Sequence, residues 1–187
     1  HNILSGITFI NLFDEITVKK SHSTKIKYSG KFKPKNNIYK DCIIKKNLQF
    51  LNLNENYNFE INIKKNIPTL SGLGSASSNA VGLIKCLEKL NIYKMHKDYK
   101  FYVKLGADIP VYLFGENALV SGIGEKIKNL NIEKYYFLLV RPNINFSTRV
   151  MYESLKLSNK RQAKYKLNKN KINPKIFSND FENIAFK

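Results

Sequence analysis

The chain has 187 residues and 43% apolar content, with 12 Phe and 11 Tyr. That is enough for one domain with a real core, or for one domain and part of another. No run approaches the ~18 uninterrupted apolar residues of a membrane-spanning helix, and Cys42 and Cys86, with the scattered His1, His22 and His96, make no metal-ligand spacing. The net charge of +18 invites a nucleic-acid reading, but Lys is spread among Asn and Ile along the whole chain, as expected of a solvated surface that draws anionic ligands.

The first third reads as strands. "ITFINLFDEITV" is rich in β-branched and aromatic residues, and "STKIKYSGKF" is a polar strand running into a Gly turn. "IYKDCIIKKNLQFLN" places Ile38, Cys42, Ile43, Leu48 and Leu51 on one side of an amphipathic helix. "NYNFEINIKK" alternates, with Tyr57, Phe59, Ile61 and Ile63 on one face, and is a half-buried strand. Ala80, Leu83, Ile84, Leu87 and Leu90 recur at helical spacing and predict a helix over 77–90, with Cys86 as a buried thiol. "KDYKFYVKLG" predicts a second helix ended by Gly106. "IPVYLFG" and "NALVSGIG" read as paired strands and "KYYFLLV" as a buried one. Between Lys156 and Lys175 stand eight Lys or Arg and no acid, a tract read as an exposed, poorly ordered insertion, with RNA contact as the alternative. Strands and helices mix without a regular βαβ rhythm, so the fold class is α+β.

Two stretches carry chemistry. Between the alternating strand and the long helix lies Pro68, Thr69, Leu70, Ser71, Gly72, Leu73, Gly74, Ser75, Ala76, Ser77 and Ser78. A Gly/Ser loop opening a helix is anion-binding by construction, because first-turn N–H groups lack partners, the helix dipole is positive there, and glycine admits a phosphate to the backbone. The serine hydroxyls of 75, 77 and 78 are further candidates for phosphate or metal contact. Neither a P-loop nor a dinucleotide-binding fingerprint is present, and an ordinary turn is the competing reading. The second stretch, "LGADIPVYLFG", puts Asp108 in apolar surroundings just after a helix. A carboxylate there can orient a hydroxyl and take its proton, or simply cap the next turn.

Together, "KNIPTLSGLGSASSNA" and "GADIPVYLFG" resemble the GHMP kinase superfamily. With "HN" and "FINLFDEITV" at the start, "NALVSGIGEKI", and "FSNDFENIAFK" at the end, the chain is similar within it to the 4-diphosphocytidyl-2-C-methyl-D-erythritol kinases. The resemblance implies a two-domain fold. A ribosomal protein S5 domain 2-like N-terminal domain would span 1–132, and the start of a ferredoxin-like C-terminal domain 133–187, with the basic insertion near 156–175. It implies a loop 68–78 that cradles ATP, Asp108 as catalytic base, Asn37 beside the adenine, and His1, Tyr152 and Thr148 at the cytidyl substrate. It implies Mg²⁺ with the ATP, no protein metal site, and phosphorylation of 4-diphosphocytidyl-2-C-methylerythritol. It further implies a monomer or homodimer with no nucleic-acid or membrane partner, in a bacterial cytoplasm or, alternatively, a plastid. The family usually reads GLGGGSS, so Ser75 and Ala76 replace two glycines and are expected to make the loop less open. A catalytic Lys on a preceding strand and a second glycine-rich segment are expected outside these residues. The rivals are another GHMP enzyme, such as a mevalonate-type kinase or diphosphomevalonate decarboxylase, and a basic RNA-binding module.

Overall fold

The computed structural model describes residues 3–34, 42–141, 154, 179, 181 and 182. Its larger sheet has the order β2-β4-β3, built from β2 (Glu15–Lys20), β3 (Lys25–Ser29) and β4 (Phe59–Lys64). β2 pairs antiparallel to β4, with Ile16 opposite Ile63, and β3 runs parallel to it, with Ile26 opposite Ile61. A parallel pair needs a long crossover, and α1 (Ile43–Phe50) lies in that connection. The alternation of β4 is expressed in full: Phe59, Ile61 and Ile63 are wholly buried, and each contributes about 1.5–3 kcal/mol by leaving water. They meet Ile44 and Leu48 of α1 and Leu83, Ile84 and Leu87 of α2 (Ser75–Lys89).

A smaller antiparallel sheet, β1-β5-β6, joins β1 (Ile3–Ile7), β5 (Ala118–Gly122) and β6 (Lys126–Asn129). Its inner face, Ile3, Ile7, Ala118, Val120 and Ile127, closes on Val111, Tyr112 and Phe114. None of the described helices is long and apolar enough to cross a membrane.

The structure departs from expectation in several places. "ITFINLFDEITV" is not one strand: it holds the end of β1, a loop, and the start of β2, which serve different sheets. "KDYKFYVKLG" forms a 3₁₀ helix, Tyr99–Lys104, started by Asp98, whose side chain accepts from the Lys100 N–H. "IPVYLFG" is not a strand but α3 (Ile109–Phe114). Pro110 fits its first turn, where an N–H has no partner anyway, and Ile109, Pro110, Val111 and Leu113 are all buried. A short run buried all round has no period that separates strand from helix. "KYYFLLV" is irregular and exposed, with Tyr136 at 92% and Leu138 at 90%, because no described strand pairs with it. α1 begins only at Ile43, α2 begins two residues earlier than the periodicity predicts, Tyr57 stays exposed, and Cys86 is half-buried rather than buried.

Candidate active site

The glycine loop is held from behind by a buried ion pair. Asp14, immediately before β2, and Lys65, immediately after β4, have side chains 0% and 4% exposed. The Lys65 ammonium donates to Asp14 Oδ2 and to Ser75 Oγ. Ser75 Oγ donates to the same carboxylate oxygen at 2.8 Å, and Asn79 Nδ2 at 3.1 Å. The other oxygen, Oδ1, accepts from the backbone N–H groups of Asn66 at 2.7 Å and Ile67 at 2.9 Å. A buried charge persists when it is paired and its lone pairs are filled, and this one joins β2, β4 and the first turn of α2 at one point. Burial pushes the Asp14 pKa up, but the Lys65 ammonium and the Ile67, Ser75 and Asn66 donors together outweigh it and hold the pKa below the usual carboxylate value.

The loop then presents its free side. Gly74, the residue before α2, has φ +64° and no side chain caps the helix, so among the described residues no side chain takes up its first-turn N–H groups. Ser75 and Ala76 sit inside α2, where any L-residue is comfortable; the left-handed angles fall on Gly72 (φ +73°) and Gly74. The two departures from the family's glycines therefore add no strain at those positions. Ser75 and Ser78 are drawn into the protein: Ser75 bonds Asp14, and Ser78 Oγ donates to the Ser75 carbonyl at 3.0 Å. The Ser77 hydroxyl has no hydrogen-bond partner among the described residues. Pro68, Thr69 and Ser71 form the approach, and Leu70 stands 62% exposed at φ +56°.

Asp108 begins α3 but does not cap it, since its side chain makes no cap hydrogen bond. Among the described residues its carboxylate has no hydrogen-bond or ion-pair partner. Asp108 is exposed to solvent, yet the protein around its carboxylate desolvates it enough to raise its pKa above the ordinary carboxylate value. One turn along, the Tyr112 hydroxyl donates to the Leu73 carbonyl at 3.0 Å, which brings α3 against the loop. Burial raises the Tyr112 pKa, and the charge of Asp108, one helical turn away, raises it further.

Tyr112 thus ties α3, which Asp108 precedes, to the glycine loop. Asn37, His1, Thr148 and Tyr152 lie outside the described residues. Asp14, Lys65, Asn79 and Tyr112 were missed by sequence reasoning. The only signal for the first pair was a charged residue at each junction between an apolar strand and a loop. No three His, Cys, Asp or Glu side chains among the described residues converge on a possible metal site. The donors near the loop, N–H groups and the Ser77 hydroxyl, suit a phosphate chain.

The family model described as GHMP kinases N terminal domain matches residues 37–116. The 4-diphosphocytidyl-2-C-methyl-D-erythritol kinase of Francisella philomiragia subsp. philomiragia is 33% identical over a 193-position alignment covering 100% of this chain and 68% of that one. The protein of the same name from Fervidobacterium nodosum is 36% identical over 160 positions, 83% of this chain and 57% of that one. A crystal structure of 4-(cytidine 5'-diphospho)-2C-methyl-D-erythritol kinase shares the fold, with a TM-score of 0.55 and 22% identity over 76% of this chain and 51% of that chain.

Proposed function

The chain belongs to the 4-diphosphocytidyl-2-C-methyl-D-erythritol kinase family of GHMP kinases, and on that premise we propose that it transfers the γ-phosphoryl group of ATP to the 2-hydroxyl of 4-diphosphocytidyl-2-C-methylerythritol, a step of the non-mevalonate route to isoprenoids. The observation that carries this reading is an unpartnered Asp108 at the start of α3, the helix that the Tyr112 hydroxyl ties to the glycine loop at the uncapped N-terminus of α2.

ATP lies with its phosphates along 68–78, taking hydrogen bonds from the first N–H groups of α2 and from the Ser77 hydroxyl, with the helix dipole favouring the negative charge. The acceptor hydroxyl lies against Asp108, which accepts its proton as the oxygen forms its bond to the γ-phosphorus and the bond to the β-phosphate oxygen breaks, leaving ADP. The desolvation that raises the Asp108 pKa makes the carboxylate a stronger base than it is in water. Magnesium carried on the nucleotide would neutralise phosphate charge, and the Ser77 hydroxyl would be the group of this chain that helps hold it. Asn37 is assigned to the adenine, and His1, Tyr152 and Thr148 to the cytidyl substrate, where a ring stacked on the base is worth ~1–3 kcal/mol. The positive net charge favours capture of two anionic substrates.

We place the first domain at 1–132. The last described strand ends at Asn129, Leu130 is still buried, and 135–140 leave that core. A bacterial cytoplasm and a monomer or homodimer complete the proposal.

The test is ADP release by the full-length protein with 4-diphosphocytidyl-2-C-methylerythritol, mevalonate and homoserine as separate acceptors. Turnover with the cytidyl substrate alone is expected. Turnover with mevalonate instead, or with none of the three while ATP still binds, would refute the substrate.

A further inference from the structure

Phosphoryl transfer depends on holding the nucleotide phosphates and the base in register. Asp108 and the loop make no hydrogen bond to each other in this structure. Tyr112 lies between them. It stands one turn beyond Asp108 on α3, and its hydroxyl donates to the Leu73 carbonyl at 3.0 Å. The same oxygen occupies the space beside Gly74: a Cβ there would lie 2.1 Å from it. On its other side the ring meets Phe9 edge-on, with centroids 5.5 Å apart and planes at 74°, which limits how the phenol can swing.

We infer that Tyr112 is a positioning residue for the transfer, its hydroxyl fixing the Leu73–Gly74 turn in register with Asp108 so that nucleotide phosphates and base face one another. This role rests on the kinase reading above. The ring alone would fill the space, as Phe would. The hydroxyl adds a donor that the Leu73 carbonyl requires, and a contact that fits only against the bare Cα of Gly74. Because its pKa is raised, the phenol stays protonated, and so a donor, at every pH where the protein would work.

The test compares the full-length protein with Tyr112→Phe and, as a control, Tyr102→Phe. Tyr102 is wholly buried in the main core, where its hydroxyl meets the Tyr93 hydroxyl at 2.9 Å and accepts from the His96 N–H at 2.8 Å. ATP dissociation constants come from titration calorimetry, KM and kcat from ADP release, and Tm from thermal melts. For Tyr112→Phe kcat should fall, and the ATP dissociation constant and the KM for ATP should rise about three- to tenfold, the worth of one neutral hydrogen bond, with the KM for the alcohol unchanged. Tyr102→Phe should lower Tm and leave the ATP constants as they were. Parental ATP constants in Tyr112→Phe would overturn the role. So would an equal rise in Tyr102→Phe, because the effect would then follow from any lost buried hydroxyl. A parent protein that binds no ATP would overturn the kinase reading itself, and this role with it.

Discussion

Behind the glycine loop, Asp14 accepts from Lys65, Asn66, Ile67, Ser75 and Asn79 and is closed to water. On α3, which Tyr112 ties to that loop, Asp108 is exposed and has no described partner. Both carboxylates are pushed up in pKa by desolvation, and the outcomes diverge because only Asp14 has donors to reverse it. A carboxylate whose lone pairs are filled holds three elements together, while one left unfilled beside an anion site is available to a substrate hydroxyl.

The largest effect should follow from Asp108→Asn. It keeps the shape and removes the base, so kcat should fall about 10²- to 10⁴-fold in an ADP-release assay, with Tm unchanged or slightly higher because a desolvated charge has gone. Next comes Lys65→Met, which strands the Asp14 charge. Denaturant melts should show a loss of about 3–5 kcal/mol. Gly74→Ala should weaken ATP binding by about 1–3 kcal/mol, from left-handed strain with the Tyr112 hydroxyl in the way. Gly72→Ala meets no atom within 4 Å, so it carries only the backbone term of about 1–2 kcal/mol.

The mildest test is pH. Asp108 must be ionised to accept a proton, so activity should fall with acid through a pKa above the ordinary carboxylate value. The stabilisation from Asp14 is present above its unfolded-state pKa and is lost only as pH falls through its lowered folded pKa. Activity should therefore fail at a higher pH than stability does. A rate profile and a melting profile that share one acid limb would erase the distinction.

These contrasts also mark what sequence could reveal. The alternation of Phe59, Ile61 and Ile63, the helical spacing behind Ser77 and the glycine loop that opens α2 were all legible, because each is a local pattern. The strand assigned to "IPVYLFG" failed because a short, mostly buried apolar run has no period that tells strand from helix, and the buried strand assigned to "KYYFLLV" failed because apolar content does not say what covers it. Asp14 and Lys65 lie 51 residues apart in the chain, and only the pairing of β2 with β4 brings them together. Tyr112 looked like one more apolar position until the helix turned its hydroxyl onto Leu73. Such long-range pairings leave no mark in local composition.

The most direct measurement sets full-length Asp14→Asn and Asp108→Asn side by side, reading kcat with the cytidyl substrate and Tm for each. The account expects Asp108→Asn to lose kcat while keeping its Tm, and Asp14→Asn to lose Tm. An Asp108→Asn protein that turns over at the parental rate would contradict it.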